Sequence, residues 1–118
     1  MAAVLRVRRG RGVRHERGQM NGLERAYGEM LMTRKLAGEI AEYHFEAVKF
    51  RLADLTYYTP DFMVMLPDGL IEFHEVKGFW EDDARVKIKV AAEIYPFKFV
   101  AASRLAKKLG GGWKFEEF

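Results

Sequence analysis

The sequence predicts an α/β fold whose elements follow the order α-β-β-β-α-β, with one or two small elements after them. Two segments carry apolar residues at helical spacing, and the segments between them are rich in aromatic and branched residues. A proline-glycine turn signal separates two of those strand-like segments. The length of 118 residues suits one domain.

The first helix is predicted over residues 21–37. Asn21 can cap its start, and Gly38 lies where a helix should stop. The apolar residues at helical spacing form one face, so the helix is predicted to be amphipathic. They are Leu23, Tyr27, Met30 and Leu31.

Three strands are predicted between the two helices. Residues 42–53 alternate and are rich in aromatic side chains, and residues 57–66 follow as the second strand. The sequence LPDG at 66–69 is a turn signal. The third strand, at residues 70–78, is therefore predicted to form a hairpin with the second.

The second helix is predicted over residues 80–95, because acids cluster at its start and Pro96 prevents its continuation. A short strand at 97–102 follows. Residues 103–112 could form a short helix, and residues 113–118 a last strand or a tail. Three apolar residues of the second helix lie on one face, namely Val86, Val90 and Ile94.

The excess positive charge lies in a leading arm, residues 1–20. The chain has a net charge of +3, but this arm holds six arginines and one acid, which leaves 14 basic and 16 acidic residues for the predicted single domain at 21–118. Such an arm is typical of segments that contact phosphate backbones, although it could equally be a solvated terminus. Its candidate DNA contacts are Arg8, Arg9, Arg11 and Arg14.

The composition excludes several classes of function. The absence of cysteine excludes a disulfide framework, a thiolate zinc site and a cysteine nucleophile, and it fits a reducing cytoplasm. No apolar run approaches the length of about 18 residues that a membrane helix needs, so no membrane partner is expected. The start of the chain lacks the apolar block of a secretory signal.

Charged residues interrupt one end of the predicted hairpin. Because side chains alternate along a strand, Glu75 and Lys77 share a face, and pairing in the hairpin can bring Asp61 beside Glu75. Two adjacent carboxylates repel each other, and a divalent cation such as magnesium removes that conflict. A lysine alongside can orient or deprotonate a water, or stabilise charge on a phosphate. The alternative is a structural salt bridge between Lys77 and either acid.

The combined pattern resembles the PD-(D/E)XK nuclease superfamily. Locally it is most similar to the endonuclease I family of T-odd bacteriophages, which are Holliday-junction resolvases. The resemblance covers roughly residues 21–104 and implies a restriction-endonuclease-like core, with a central mixed sheet flanked by helices. It rests on NGLE (21–24), YTPDF (58–62), LPDG (66–69), EVKGFWEDDARVK (75–87) and FVAASR (99–104).

The resemblance also implies a role for each matching residue. Asp61 and Glu75 would be carboxylate metal ligands, the backbone carbonyl of Val76 a further ligand, and Lys77 the catalytic lysine. Glu24, on the flank of the first helix's apolar face, would be another ligand or a contact through water; a solvated helix acid is the alternative. One or two Mg²⁺ or Mn²⁺ ions would bind per site, and no small-molecule cofactor is expected.

The implied activity is metal-dependent hydrolysis of phosphodiester bonds in branched DNA during recombination, leaving 5′-phosphate ends. Cutting both strands of a four-way junction needs two sites, which a homodimer supplies. A phage-encoded or bacterial protein of the cytoplasm is expected. Two alternatives stay open. One is a nicking, repair or restriction-type nuclease on duplex or flap DNA, and the other is a DNA-binding module of the same fold without catalysis.

Other residues are weaker candidates. His74 should point away from Glu75 and be packed or hydrogen bonded there, and Trp80 could stack on a base, although packing is favoured. Lys107 and Lys108 could contact a DNA backbone or belong to a plain surface turn, and the sequence leaves both open. The candidate DNA contacts of the second helix, with a solvated face as the alternative, are Arg85, Lys87 and Lys89.

Overall fold

The protein has an α/β fold with a mixed central sheet and two helices, which confirms the predicted class. A computed structural model describes residues 3–4, 18–78 and 82–118. Within these ranges the strands form a five-stranded sheet and a smaller three-stranded sheet. The elements are β1 Ala3–Val4, α1 Gly22–Leu36, β2 Glu42–Phe45, β3 Lys49–Ala53, β4 Thr56–Tyr58, β5 Phe62–Met65, β6 Ile71–Lys77, α2 Asp82–Ile94, β7 Lys98–Arg104 and β8 Trp113–Glu117.

The larger sheet has the strand order β2-β5-β6-β7-β8. β5 and β6 form the predicted antiparallel hairpin, in which Phe62 lies opposite His74. β6 and β7 are parallel, with Lys77 opposite Ser103, and α2 makes the crossover between them. The carboxyl ends of β6 and β7 therefore lie at one edge of the sheet, beside the amino end of β5.

Two of the predicted strands are each divided in two. The prediction of one strand at 42–53 is wrong, because Glu46 has a φ angle of 49° and turns the chain out of the larger sheet. β3 then joins the smaller sheet, whose order is β1-β3-β4. The strand predicted at 57–66 is interrupted before Phe62, where Pro60 has no N–H to donate to a sheet. β4 and β5 thus belong to different sheets.

The predicted start and apolar face of α1 are confirmed. Asn21 is the N-cap, and its side chain accepts a hydrogen bond from the backbone N–H of Glu24 at 2.8 Å. Tyr27 and Leu31 are completely buried. α1 is therefore held on one face of the larger sheet by the residues that the helical spacing indicated.

The apolar stripe that the sequence marks on α2 does not face the core. Val86 and Ile94 are 56% and 49% exposed, whereas Ile88, Ala91 and Tyr95 are buried. Both stripes contain apolar residues at helical spacing, so the neighbouring strands decide which one is buried. Neither described helix is long and apolar enough to cross a membrane.

The short helix considered at 103–112 is present in part, as a 3₁₀ helix at Lys107–Leu109 that ends at Gly110. It is shorter than the segment because β7 continues to Arg104. Glycines at 110–112 all have positive φ angles, between 66° and 100°, which a continuing helix cannot use. The last strand predicted at 113–118 is present as β8.

The core consists of two clusters on opposite faces of the larger sheet. The first lies beneath α1, and the second lies between the sheet, α2 and the smaller sheet. β5 begins and β6 ends at the same edge of the larger sheet. The first cluster contains Tyr27, Leu31, Ile40, Phe62, Val64, Val76 and Ala102, and the second contains Phe50, Tyr58, Phe73, Ile88, Ala91, Tyr95 and Phe99.

Candidate functional site

The structure brings four predicted site residues to one cavity. Glu24 from α1, Asp61 from the β4–β5 connection, and Glu75 and Lys77 from β6 line a cavity of about 320 Å³ at the edge of the larger sheet. Three separate segments of the chain thus contribute charged groups to the same space. The cavity, hereafter the site cavity, is completed by Asn21, Val76, Gly78 and Ala84.

Asp61 is fixed through both its backbone and its side chain. Its carbonyl oxygen accepts a hydrogen bond from the N–H of Glu46 at 2.8 Å, and its Oδ2 accepts one from the N–H of Val76 at 2.8 Å. The preceding Pro60 is fully buried, and Asp61 itself is only 8% exposed. The carboxylate is therefore held against the carboxyl end of β6, as the hairpin prediction required.

Both carboxylate oxygens of Glu75 have partners. The hydroxyl of Tyr58 donates to Oε1 at 2.8 Å, and Nζ of Lys77 lies 3.1 Å from Oε2. The salt bridge considered as an alternative for Lys77 is therefore present, and it lies inside the site cavity. Sequence reasoning missed Tyr58, because its contact with Glu75 joins β4 of the smaller sheet to β6 of the larger one.

Glu24 is buried, so the alternative of a solvated helix acid is wrong. It is 8% exposed, and its Oε1 accepts a hydrogen bond from the N–H of Asn21 at 3.0 Å. Together with the bond from the Glu24 N–H to the Asn21 side chain, this makes a capping box. Glu24 thus stabilises the start of α1 and also lines the site cavity.

The acids of the site cavity are electrostatically unfavourable as they stand. Burial raises the pKa of Asp61 well above its ordinary range, and the negative charges of Glu75 and Glu24 raise it further. Burial also raises the pKa of Glu75, although Lys77 and the Tyr58 hydroxyl partly oppose this. A positive charge in the site cavity would therefore stabilise the ionised forms of Asp61 and Glu75.

The donor set is compatible with a divalent cation. Within the described ranges, no three His, Cys, Asp or Glu side chains already form a group with metal-binding geometry. Magnesium, however, commonly takes one or two carboxylates and completes its shell with water and phosphate oxygens. Asp61 and Glu75 fit that requirement, because a cation between them would offset both the burial and the repulsion that raise the pKa of Asp61.

His74 points to the opposite face from Glu75, which confirms its predicted orientation. Its Nδ1 lies 2.6 Å from the Tyr27 hydroxyl, and its Nε2 lies 2.9 Å from Oε1 of Glu72. It is 3% exposed. His74 therefore joins α1 to the sheet.

The candidate DNA contacts on α2 do not line the site cavity, although Ala84 of the same helix does. Arg85 makes two hydrogen bonds to the carboxylate of Glu116, at 2.7 and 3.1 Å, and its guanidinium lies 5.2 Å from the ring centre of Phe118. Arg85 and Lys89 line a second cavity of about 640 Å³, and Lys87 is half-buried. Their role as DNA contacts stays a prediction.

The candidate DNA contacts of the arm lie outside the described residues, as does Trp80. They are Arg8, Arg9, Arg11 and Arg14. The roles predicted for them therefore stay predictions as well.

Comparison of the chain with protein-family models, with curated proteins and with solved structures found no match. The geometry of the site cavity is thus the basis for assigning a function.

Proposed function

We propose that this protein is a metal-dependent DNA endonuclease with a PD-(D/E)XK core, acting on branched DNA in the manner of the bacteriophage endonuclease I resolvases. One observation carries the proposal. Three acids and a lysine from separate segments meet in one cavity, and the pKa values of two of the acids are raised. Titratable groups with perturbed pKa values in a cavity are typical of functional sites.

The acids would provide the oxygen ligands for Mg²⁺ or Mn²⁺. Asp61 and Glu75 would hold the ion, with the carbonyl of Val76 and the carboxylate of Glu24 as further donors. Such an ion, when bound, lowers the pKa of a coordinated water and offsets negative charge on a phosphate. The hydrogen bonds that Asp61 and Glu75 already accept fix their orientation before any ion arrives.

Lys77 would act on the phosphate itself. Its ammonium group, which lines the same cavity beside Glu75, can stabilise charge that develops on the phosphate oxygens or orient the attacking water. The Tyr58 hydroxyl would be a positioning group, because it donates to Glu75 from a buried location. Hydrolysis in this arrangement would leave a 5′-phosphate and a 3′-hydroxyl.

The substrate shape and the assembly belong to the same proposal. Each chain would supply one site, so paired cuts across a four-way junction would need a two-fold homodimer. We place the protein in the cytoplasm of a bacterium or a phage-infected cell, where it would meet recombining DNA.

The test is a cleavage assay on three DNA substrates of equal concentration. Supercoiled plasmid, a synthetic four-way junction and linear duplex are incubated with Mg²⁺, Mn²⁺ or EDTA. We expect cleavage of the junction with either metal and none in EDTA, and a loss of about 10³-fold in rate for Lys77→Ala and for Asp61→Ala. Lys98→Ala, an exposed lysine on β7, is the matched control and should cleave normally.

Full activity of both site variants would refute the assigned residues. Equal cleavage of linear duplex and junction at low enzyme concentration would instead favour the nicking, repair or restriction-type alternative. DNA binding without cleavage of any substrate would favour the module that lacks catalysis.

A further inference from the structure

We propose that the connection between β7 and β8, together with the adjoining strand ends (residues 104–114), binds the DNA backbone next to the site cavity. We call this segment the basic loop. The inference rests on the proposed function and adds to it the surface that holds the substrate. The sequence alone did not decide whether Lys107 and Lys108 contact a DNA backbone or belong to a plain surface turn. The inference assigns them the DNA contact.

The basic loop carries a concentrated charge of one sign. It contains four basic residues and no acid, and the nearest acids along the chain are Glu116 and Glu117. All four basic residues are exposed. They are Arg104, Lys107, Lys108 and Lys114.

The basic side chains of the basic loop have no ion-pair partner in the described part of the chain, although the charge of Lys114, after the hydrogen bond from Arg85, helps to lower the pKa of Glu116. Many basic residues elsewhere do form ion pairs. A cluster of like charges that repel one another without internal partners is favourable where a polyanion binds. The basic residues that are paired elsewhere are Arg34, Lys35, Arg51, Lys77, Arg85 and Lys98.

The sheet register places the basic loop at the same edge as the site cavity. Lys77 lies opposite Ser103 on β7, and Ser103 lies opposite Lys114 on β8. Residues that are paired in this way share one face of a sheet, so the three polar side chains form a row. Neighbouring strands are about 4.8 Å apart, which puts the backbone of Lys114 about 10 Å from that of Lys77.

That spacing suits a continuous nucleic-acid strand. Each strand of a duplex offers one phosphate per about 3.4 Å of axis. A strand with one phosphate at Lys77 would therefore pass Lys114 within about three nucleotides. Ser103 between them can donate a hydrogen bond to an intervening phosphate.

The basic loop is also held in shape. The N–H of Leu105 donates to the carbonyl of Gly112 at 2.9 Å, which closes its base. The guanidinium of Arg104 lies 5.2 Å from the ring centre of Trp113, and that ring in turn packs edge-on against Tyr27 at 4.9 Å. Arg104 and Trp113 thus lie on the face of the sheet that carries α1, opposite to Ser103 and Lys114, and they hold the base of the basic loop in shape.

The face of α2 is a weaker candidate for this contact. Arg85 is already bound to Glu116, and the cavity beside it is also lined by Glu93 and Glu117. A DNA strand there would meet charges of both signs. The observations thus favour the basic loop over the α2 face as the main contact beside the site.

The test compares two triple variants with equal loss of charge. The loop variant is Lys107→Ala/Lys108→Ala/Lys114→Ala, and the control variant is Lys35→Ala/Arg51→Ala/Lys98→Ala, which removes exposed but ion-paired residues. Affinity for a fluorescent four-way junction and for a matched duplex is measured in EDTA at several salt concentrations. Melting temperatures of all variants are measured alongside.

We expect the loop variant to lose about tenfold or more in affinity near 0.1 M salt, and the control variant about threefold or less. The slope of log K against log salt should fall by about 0.9 for each phosphate contact that is lost. Lys114→Gln alone should remove one such contact, so the inference stays testable if the triple variant folds poorly.

Equal affinities and slopes for the loop and control variants would overturn the inference, and so would a parent protein that binds no DNA. The proposed function is decided separately, by cleavage. A parent that binds DNA through the basic loop but cuts none in Mg²⁺ would refute the nuclease and leave the binding surface intact.

Discussion

The two ends of the parallel strands β6 and β7 differ in how their acidic side chains are paired. At the amino end, Glu72 accepts a hydrogen bond from His74 and lies 3.7 Å from Lys98, which also pairs with Glu117. At the carboxyl end, Glu75 and the adjacent Asp61 are two buried acids beside one lysine. The amino end is the paired end, and the carboxyl end contains the site cavity.

The pKa values follow this difference. The hydrogen bond from His74 lowers the pKa of Glu72, whereas burial raises those of Asp61 and Glu75. At the paired end, ionised groups are stabilised by their partners, as a structural role requires. At the site cavity the fold places carboxylates where their ionised forms are disfavoured, which is costly unless a ligand compensates.

The largest expected effect is on the rate of DNA cleavage, which a substitution at the site cavity should lower and the same substitution at the paired end should not. Glu75→Gln and Glu72→Gln are the same substitution on the same strand, one at each end. We expect Glu75→Gln to lower the rate of junction cleavage in Mg²⁺ by about 10³-fold, which corresponds to about 4 kcal/mol. Glu72→Gln should keep the parental rate. Comparable losses in both variants would show that the ends do not differ in function.

The next effect concerns stability at the paired end. His74→Ala should lower the free energy of unfolding by about 3 kcal/mol, because it leaves a cavity and removes partners from Tyr27 and Glu72. Urea unfolding measures it. His44→Ala, at an exposed position of β2, is the control and should change stability by less than about 0.5 kcal/mol. A small effect of His74→Ala would mean that the paired end does not hold α1 to the sheet.

At the site cavity, removing the charge of a side chain should increase the stability of the protein, whereas removing His74 at the paired end should decrease it. In EDTA at pH 7.5, Asp61→Asn should raise the free energy of unfolding, because burial and the neighbouring acids raise the pKa of Asp61 and so disfavour its ionised form. The amide oxygen can still accept the Val76 N–H. Mn²⁺ should raise the melting temperature of the parent and not of this variant. Asp68→Asn, in the exposed turn of the same hairpin, is the control, and a destabilised Asp61→Asn would contradict the comparison.

The smallest effect is a pH dependence. A carboxyl whose folded pKa is raised binds a proton more tightly in the folded state, so its contribution makes the protein less stable as the pH rises above its ordinary pKa, 3.8 for Asp61. The stability advantage of Asp61→Asn over the parent in EDTA should therefore be near zero around pH 4 and increase towards pH 8. Urea unfolding at five pH values measures it, and an advantage that is constant with pH would show that charge is not its cause.

Local patterns in the sequence were enough to predict part of this molecule. The turn at 66–69 and the alternation along β6 predicted that Asp61, Glu75 and Lys77 lie together. This worked because a hairpin is a short-range structure whose register follows from its turn. The cap and buried face of α1 were predicted for the same reason. The breaks at Glu46 and Pro60 were missed, since each sends a strand into a different sheet.

The sequence by itself determined the α/β class, the hairpin with its three charged residues, and the direction in which His74 points. Only the tertiary structure decided that Tyr58 donates to Glu75, that Glu24 is buried, that Arg85 is paired with Glu116 and that Lys114 lies in a row with Lys77. The physical reason is separation along the chain. Periodicity shows which side chains share a face within one element, but contacts between elements depend on the strand order and on which helix face the sheet buries.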